Sequence, residues 1–353
     1  MNTENTTPMR AGEELPQEPL HGFLLAHLDG YREILELRQF PGGYSNLTYA
    51  IHTNIGQFVL RRPPLGANIK SAHDMGREYK VLRMLQPVYP RIPAPVLYCD
   101  DAGVIGAPFY LMEKVEGLVL RNRPPEGLNL GPELMYRLSC AAIDNLADLH
   151  ALDIDHSGLR QLGKPEGYVQ RQVEGWSKRY EQSATDTIPG MAFMAEWMHA
   201  QLPTENPPAL LHNDYKYDNL VLNPDKLDDI RAVLDWEMCT VGDPLMDLGL
   251  SLAYWLHEGE GGPLLSSIGT LTWLPGNLTR GEAAARYAAR SGRDLEQLLF
   301  YYVFGNFKIG VIVQQIYFRY KKGFTQDPRF SRLIDAVRFF GERGQKAIEE
   351  GRI

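Results

Sequence analysis

The spacing of apolar residues changes near Pro132, and this change constrains the fold more than any other feature of the sequence. Between Leu35 and Val115 the apolar residues form short runs that are typical of β-strands. After Pro132 they recur every three or four residues over long stretches, which is typical of helices packed on a core. We therefore expect an α+β fold, with a small β-rich part followed by a larger helical part.

The length of the chain indicates two lobes. With 353 residues it exceeds the size at which one hydrophobic core usually keeps growing. We expect an N-terminal tail and lead-in helix at 1–30, a first lobe at 31–115 and a helical second lobe at 116–353, with the junction at Glu113–Gly117. The stretch Met1–Glu18 is polar and contains proline, which predicts a disordered start.

Four elements are predicted in the first lobe. Asn46–Thr53 and Gln57–Arg61 are β-rich runs separated by turn residues, which predicts a hairpin. A helix is predicted over Ser71–Leu85, because its apolar residues recur at three- and four-residue steps. The run Gly106–Val115 predicts a further strand.

The second lobe is predicted to consist of long helices around one strand-loop-strand region, Leu210–Asp235. The predicted helices cover 132–152, 166–180, 190–201, 280–291, 295–320 and 331–350. The most apolar stretch, Leu298–Phe318, carries Lys308 near its centre, and a lysine at the centre of a membrane span is costly. We therefore expect a buried helix here and no membrane anchor.

Composition excludes several kinds of partner and site. The 36 basic and 44 acidic residues give a net charge of −8, so no general affinity for nucleic acid or anionic membranes is expected. Cys99, Cys140 and Cys239 are widely spaced and form no CxxC pair, which argues against a disulfide framework or a zinc site. No apolar signal core precedes residue 18. We expect a cytoplasmic protein with reduced thiols, whose oligomeric state the sequence leaves open.

The segment 210–248 carries the residues best suited to chemistry. It contains a His-x-Asp-x4-Asn motif at His212, Asp214 and Asn219. An apolar strand (Leu220–Leu222), a turn at Asn223–Pro224 and a second strand (Ile230–Leu234) that ends in Asp235 are predicted to follow. Phosphoryl transfer needs an acceptor for the hydroxyl proton, oxygen ligands for Mg²⁺ and positive charge around the phosphates. Asn219 and Asp235 would supply hard oxygens for Mg²⁺, which leaves Asp214 to orient the hydroxyl and take its proton. Turn or cap roles are the alternative for each residue alone, and the ordered combination favours catalysis.

These residues resemble the catalytic loop and metal-binding segment of the aminoglycoside phosphotransferase and choline kinase family, distant relatives of protein kinases. Four segments resemble the branch of that family fused to acyl-CoA dehydrogenases, namely Phe58–Pro63, Gly76–Leu82, Arg171–Trp176 and Asp235–Gly249. The resemblance covers most of the chain. It implies a bilobal protein-kinase-like fold, ATP and Mg²⁺ as cofactors, and a small-molecule hydroxyl as acceptor.

The resemblance also implies two supporting residues and a phosphate loop. His212 would hydrogen-bond backbone near Asp235, and Asp247 would cap a helix and brace the catalytic loop through backbone N–H groups. The glycine-containing segment 41–46 resembles the short phosphate loop of the family, in which Gly43, Ser45 and Asn46 would approach phosphate oxygens. A simple hairpin turn explains this segment equally well.

The strand that follows ends in two arginines, where a kinase places its phosphate-holding lysine. We expect Arg61 in this role, with Arg62 as the alternative. Glu78 on the next helix would be the ion-pair partner of Arg61, unless it lies on a solvated helix face. The backbone of Glu113 and Val115 resembles the hinge that holds adenine.

The acceptor site is expected among helices of the second lobe, with Arg171, Trp176, Lys308 and Arg319 as candidates. A structural ion pair with a carboxylate is the alternative for Lys308. The C-terminal helices contain no acidic cluster and carry several cations instead, which disfavours a polycationic antibiotic as acceptor. The cationic character of Lys308 and Arg319 predicts a pocket for an anionic hydroxylated acceptor. The branch resemblance indicates a hydroxy acid or a hydroxyacyl-CoA instead.

Three other functions compete with that of a small-molecule kinase. A protein kinase should carry an activation loop, but only the seven residues 236–242 separate Asp235 from Asp243. A pseudokinase that binds nucleotide is favoured by Arg61 in place of lysine and disfavoured by the complete set of Asp214, Asn219 and Asp235. An aminoglycoside-type antibiotic kinase is the remaining alternative.

Overall fold

The computed structural model describes residues 6–41, 46–64, 74–260, 270–325 and 327–353. The chain forms two compact units. The strand-rich unit contains Met1–Leu118, Val221–Pro224 and Arg231–Met238. The helical unit contains Val119–Leu220, Asp225–Ile230 and Cys239–Ile353. The predicted α+β class is confirmed.

A five-stranded antiparallel sheet forms the centre of the strand-rich unit, in the order β1-β2-β3-β5-β4. Its strands are β1 (Ile34–Gln39), β2 (Leu47–Thr53), β3 (Gly56–Arg62), β4 (Pro95–Cys99) and β5 (Phe109–Glu113). Alternate residues of β2 are buried, among them Tyr49 and Ile51, because successive side chains of a strand point to opposite faces. Central strand β3 is buried on both faces from Phe58 onward. Two buried residues of helix α1 (Gln17–His27) join the core beneath the sheet.

The predicted hairpin is confirmed, with Thr48 opposite Arg61 in the ladder between β2 and β3. Strand β5 begins later than predicted, because Gly106 is the C-cap of a short helix, α3 (Ala102–Ile105). Gly106 has a left-handed φ of 85°, which is common at the end of a helix. Helix α2 (Met75–Leu85) begins where Asp74 accepts a hydrogen bond from the N–H of Arg77. The predicted start of this helix at residues 71–73 lies outside the described residues.

The expected disordered start is wrong for the part from residue 6 onward. Thr6 is buried, and Thr7 pairs with Gln39 of β1 through two backbone hydrogen bonds of 2.8 and 2.9 Å. The N–H of Arg10 also donates to the Gln39 side chain at 2.8 Å. This segment therefore belongs to the strand-rich unit because its backbone groups are paired.

The helical unit contains all six predicted helices. They are α4 (Pro132–His150), α5 (Tyr168–Ser183), α6 (Pro189–Ala200), α8 (Arg280–Ser291), α9 (Leu298–Lys321) and α10 (Leu333–Glu350). A further helix, α7 (Pro244–Tyr254), was not predicted, because every one of its residues is buried and no helical period of apolar and polar residues shows in the sequence. No helix in the described ranges is long and apolar enough to cross a membrane.

Helix α9 packs against α7 and α10. Gly305 lies so close to Gly249 of α7 that a Cβ atom on either glycine would collide with the facing backbone. This close approach places the middle of α9 beside the loop that follows β6 (Ala209–Leu211). Strand β6 pairs with β9 (Thr240–Gly242) in a two-stranded sheet.

Between β6 and β9 lies the hairpin of β7 (Leu220–Asn223) and β8 (Lys226–Val233). The second strand of this hairpin was predicted over Ile230–Leu234, and it begins four residues earlier in the structure. Asp235 lies two residues after the end of β8 and has a left-handed φ of 66°.

Candidate active site

The backbone after β6 is held by a buried carboxylate. Asp247 accepts hydrogen bonds from the N–H groups of His212 at 2.6 Å and Asn213 at 2.9 Å, so the predicted brace is present. Burial by itself raises the pKa of Asp247, but its hydrogen bonds and the neighbouring His150 and His212 hold that pKa below its ordinary value. The predicted cap is wrong: Asp243 occupies the N-cap of α7 and accepts from the N–H of Leu245.

Asp214 is oriented from two sides. Its Oδ2 accepts a hydrogen bond of 3.0 Å from the side-chain amide of Asn219, and its Oδ1 lies 3.2 Å from the Nζ of Lys216. The backbone N–H of Asp214 also donates to Nδ1 of His212 at 3.2 Å. A quarter of the Asp214 side chain is exposed, so a small molecule has access to it.

Lys216 was missed by the sequence reasoning, although it stands two residues after Asp214 in the recognised motif. Its ammonium group lies 4.7 Å from the ring centre of Tyr254. Burial alone lowers the pKa of Lys216, but Asp214, Tyr254 and Asp218 together raise it above its ordinary value. Lys216 is therefore a cation beside Asp214.

A second ion cluster lies in the strand-rich unit around Arg61. Its Nη1 lies 2.5 Å from Oε1 of Glu78, so the predicted ion pair is present and the solvated-face alternative for Glu78 is excluded. Its Nη2 lies 3.1 Å from Asp235 and 3.6 Å from Glu237. Burial raises the pKa of Glu78 in spite of the opposing effect of Arg61.

The position of Arg62 distinguishes the two arginines of β3. Adjacent residues of a strand point to opposite faces, and Arg62 is buried away from the carboxylates, with Nη1 donating to the carbonyl of Ile105 at 2.7 Å. Arg61 is therefore the arginine of the ion cluster.

The segment with Asp235 belongs to the strand-rich unit, although the sequence expectation placed it in the segment 116–353. The N–H of Val233 donates to the carbonyl of Arg91 at 2.8 Å, and the ring of Trp236 packs edge-on against Tyr89. These contacts join residues far apart in sequence, so spacing along the chain could not reveal them.

Glu237 is a further residue that the sequence reasoning missed. Its Oε2 accepts a hydrogen bond of 2.8 Å from the side chain of Asn46, and its carbonyl accepts one of 3.1 Å from Arg77. The signal available in the sequence was an acid two residues after Asp235. Of the three residues predicted to approach phosphate oxygens, the structure describes Asn46, while Gly43 and Ser45 lie outside the described residues.

The predicted hinge follows the end of β5. The N–H of Glu113 donates to the carbonyl of Ala94 at 2.9 Å, which leaves the carbonyl of Glu113 to serve a ligand. The Glu113 side chain is exposed and Val115 is partly buried. The role of the Glu113 and Val115 backbone in holding adenine stays a prediction.

The structure brings together only two of the four acceptor candidates, Lys308 and Trp176, among the described residues. Lys308 lies 5.5 Å from the ring centre of the buried Trp176, and both belong to the interior of the helical unit. Arg171 is exposed and donates to the carbonyls of Lys164 and Glu166. Arg319 is exposed, eleven residues after Lys308, which is about 16 Å along a helix. The cationic pocket expected from Lys308 and Arg319 is therefore wrong.

Lys308 does not form the ion pair that was its alternative role either. Within the described ranges its Nζ has no carboxylate oxygen within 4.0 Å, and its hydrogen bonds go to the carbonyl and the side-chain oxygen of Asn213.

Both predicted metal ligands keep a side-chain oxygen outside their hydrogen bonds with Asp214 and Arg61. Asn219 donates to Asp214 through its amide nitrogen, so its side-chain oxygen is not used in that contact. Asp235 uses only Oδ1 for Arg61. No three His, Cys, Asp or Glu side chains gather as a metal site in the part of the chain described. Asn219 and Asp235 thus each keep a hard oxygen of the kind that Mg²⁺ takes together with waters and substrate phosphates.

A model of the phosphotransferase enzyme family matches residues 36–300. Acyl-CoA dehydrogenase family member 11 of Rattus norvegicus is 36% identical over 324 residues, which are 88% of this chain and 41% of the relative. The chain thus spans less than half the length of this curated relative.

Two solved structures are similar along their whole length. A candidate aminoglycoside phosphotransferase from Ralstonia eutropha is 29% identical, with a TM-score of 0.80 over 96% of this chain and 99% of the other. A spectinomycin phosphotransferase in complex with ADP and spectinomycin is 13% identical, with a TM-score of 0.55 over 94% and 98%. The second likeness shows a shared fold alone.

Proposed function

This chain belongs to the phosphotransferase enzyme family, and on that premise we propose that it is a kinase that phosphorylates a hydroxyl of a small molecule. The observation that carries the proposal is the geometry of Asp214, whose two oxygens are oriented by Asn219 and Lys216. A carboxylate fixed in this way and partly exposed can align a hydroxyl and accept its proton.

The other residues of the helical unit would support this step. Lys216 is a cation next to Asp214 and would stabilise the charge on the phosphoryl group during transfer. Asn219 would offer its remaining side-chain oxygen to Mg²⁺, and the bound ion would neutralise charge on the phosphates. Asp235, which belongs to the strand-rich unit, is the other proposed metal ligand. His212 and Asp247 would keep the loop backbone in place.

ATP is the proposed phosphoryl donor, since a solved phosphotransferase that shares the fold is in complex with ADP. Arg61 would hold the phosphates, and Glu78 would fix the direction of its guanidinium group. Gly43, Ser45 and Asn46 would approach the phosphates, while Glu113 and Val115 would hold the base through their backbone.

The proposed acceptor is a hydroxy acid or a hydroxyacyl thioester. The support is the 36% identity to part of an acyl-CoA dehydrogenase family member, because a phosphotransferase segment joined to such an enzyme would share its acyl substrates. The side chains of Lys308 and Arg319 do not support an acidic acceptor, because the structure does not place them in one pocket. The absence of a nucleic-acid or membrane partner and a cytoplasmic location stay predictions.

The proposal is tested by the melting temperature with ATP, in Mg²⁺ and in EDTA, followed by a screen of hydroxyl acceptors. We expect ATP to raise the melting temperature more with Mg²⁺, and turnover to appear with hydroxy acids or hydroxyacyl thioesters. Nucleotide binding without turnover of any acceptor would favour the pseudokinase alternative. Efficient phosphorylation of kanamycin would assign the chain to the antibiotic kinases instead.

Replacement of Arg61 tests the nucleotide side. Arg61→Ala is expected to weaken ATP binding about 10- to 100-fold, because a charged hydrogen-bond donor is lost. Arg61→Lys should retain part of the affinity, because the charge remains while the planar fork is lost. The dissociation constant of ATP measures both, and Arg83→Ala on the exposed side of α2 is the control. Unchanged affinity in both Arg61 variants would remove Arg61 from the phosphate site.

A further inference from the structure

Lys308 lies in the middle of α9 and contacts the residue that precedes Asp214. Its side chain is almost fully buried, with 2% of the residue exposed. Its Nζ donates to the backbone carbonyl of Asn213 at 3.3 Å and to the Asn213 side-chain oxygen at 3.4 Å. Burial of an ammonium group removes its hydration, and this loss is costly unless hydrogen bonds or opposite charges offset it.

Asn213 is held in an uncommon conformation. Its φ of 65 lies in the left-handed region, which costs a residue with a side chain more than it costs glycine. Asp247 accepts from its N–H, Tyr168 accepts from its side-chain amide at 3.2 Å, and Lys308 donates to its two oxygens. Three separate helices, α5, α7 and α9, thus hold one residue of the loop.

The conformation of Asn213 sets the direction of Asp214. The two residues are adjacent, so a change in the dihedral angles of Asn213 would turn the Asp214 carboxylate away from Asn219 and Lys216. A displacement of about 1 Å at a reacting group can reduce a rate about 100-fold. A contact that fixes Asn213 therefore acts on the proposed base without touching it.

The environment of Lys308 lowers its pKa toward neutral pH. Burial is the largest effect and lowers the pKa of Lys308 to about 8, while Asp247 and Asp214 oppose that fall and Arg179 adds to it. The Tyr168 hydroxyl, which also contacts Asn213, has a pKa raised by burial and stays neutral. Lys308 is thus charged below pH 8 and loses its proton above it, since its ordinary pKa of 10.5 is lowered.

We propose that Lys308 is a positioning residue that holds the backbone of Asn213 and thereby aims Asp214, and that it does not bind the acceptor. This inference rests on the proposed kinase function and assigns a new role within the same site. The matched probe is hydrolysis of MgATP, in which water replaces the acceptor. An acceptor-binding residue would not affect this reaction, whereas a residue that aims Asp214 would.

The test compares Lys308→Met with Lys321→Met, an exposed lysine at the end of the same helix. We expect Lys308→Met to lower kcat for MgATP hydrolysis about 10- to 100-fold at pH 7, with the Kd of MgATP changed less than about threefold. Lys321→Met should match the wild type. Unchanged hydrolysis in Lys308→Met, with a raised KM for an added hydroxy acid, would overturn the proposal and return Lys308 to the acceptor site.

The pH dependence of kcat distinguishes a positioning role from a purely structural one, because replacement of a structural lysine would leave that dependence unchanged. The wild-type kcat is expected to fall as pH rises through about 8, and this step should be missing in Lys308→Met. If Lys308→Met does not fold, Lys308→Gln keeps a donor toward Asn213 without the charge and should show a lowered kcat with no step near pH 8. A step that persists in either variant would refute the role of Lys308. Failure of the wild type both to hydrolyse MgATP and to phosphorylate any acceptor would instead refute the proposed function.

Discussion

Replacement of Asp214 by Asn is expected to lower phosphoryl transfer about 10²- to 10⁴-fold and to leave MgATP binding nearly intact. Asn has almost the same size, and its side-chain oxygen can still accept the hydrogen bond of Asn219. It cannot take the proton of a hydroxyl at neutral pH, because an amide is not a base in this range. The measurement pairs kcat for the best acceptor with the dissociation constant of MgATP.

The matched control is Asp218→Asn in the same loop. Asp218 is a second carboxylate near Lys216, but burial raises its pKa, and it has no assigned role in the transfer. We expect this variant to retain most of the activity. An equal loss in both variants would show that the loop responds to any loss of charge, and a loss of nucleotide affinity in Asp214→Asn would mean that Asp214 holds the nucleotide and not the hydroxyl.

Replacement of Asp235 by Ala is expected to remove most of the effect of Mg²⁺ on ATP binding. In the wild type one oxygen of Asp235 faces Arg61 at 3.1 Å and the other is left for a metal. Loss of the carboxylate removes a hard ligand, so the ratio of ATP affinities in Mg²⁺ and in EDTA should fall about tenfold or more. Affinity in EDTA should not fall, because Arg61 loses a competing anion and becomes more available to phosphate.

The ATP affinity in EDTA distinguishes the loss of a metal ligand from damage to the fold. A misfolded variant would lose affinity with and without metal, whereas Asp235→Ala should lose it only with metal. Glu116→Ala removes an exposed carboxylate of the strand-rich unit and serves as the control, with the Mg²⁺ effect unchanged. If Mg²⁺ raises ATP affinity in Asp235→Ala as strongly as in the wild type, the metal binds through other groups.

The secondary structure of this chain was largely predictable, because helices and strands leave a local period in the sequence. The hairpin of β2 and β3 and the six predicted helices were found in this way. Helix α7 was not found, since all its residues are buried and a helix without a solvent-exposed face shows no apolar-polar period. Strand β5 was predicted too long at its start because Gly106 serves as a helix end.

The candidate site was predictable where spacing within one segment carries the information. His212, Asp214 and Asn219 lie in one loop, and the structure brings their side chains and backbone together. Lys216 lies in the same loop and was overlooked, although nothing beyond the sequence was needed to consider it. Glu237 was harder to find, because its importance comes from Asn46, which is 191 residues away.

The sequence by itself determined the fold class, the order of the motifs and the kinds of chemical groups available, because period and motif spacing act over a few residues. The tertiary structure decided which side chains contact one another. It selected Arg61 over Arg62 by placing Glu78, 17 residues away, and Asp235, 174 residues away, on one face of β3. It also moved Lys308 from the acceptor to the loop, 95 residues earlier in the chain. Such contacts depend on how separate elements pack, and packing leaves no local pattern along the chain.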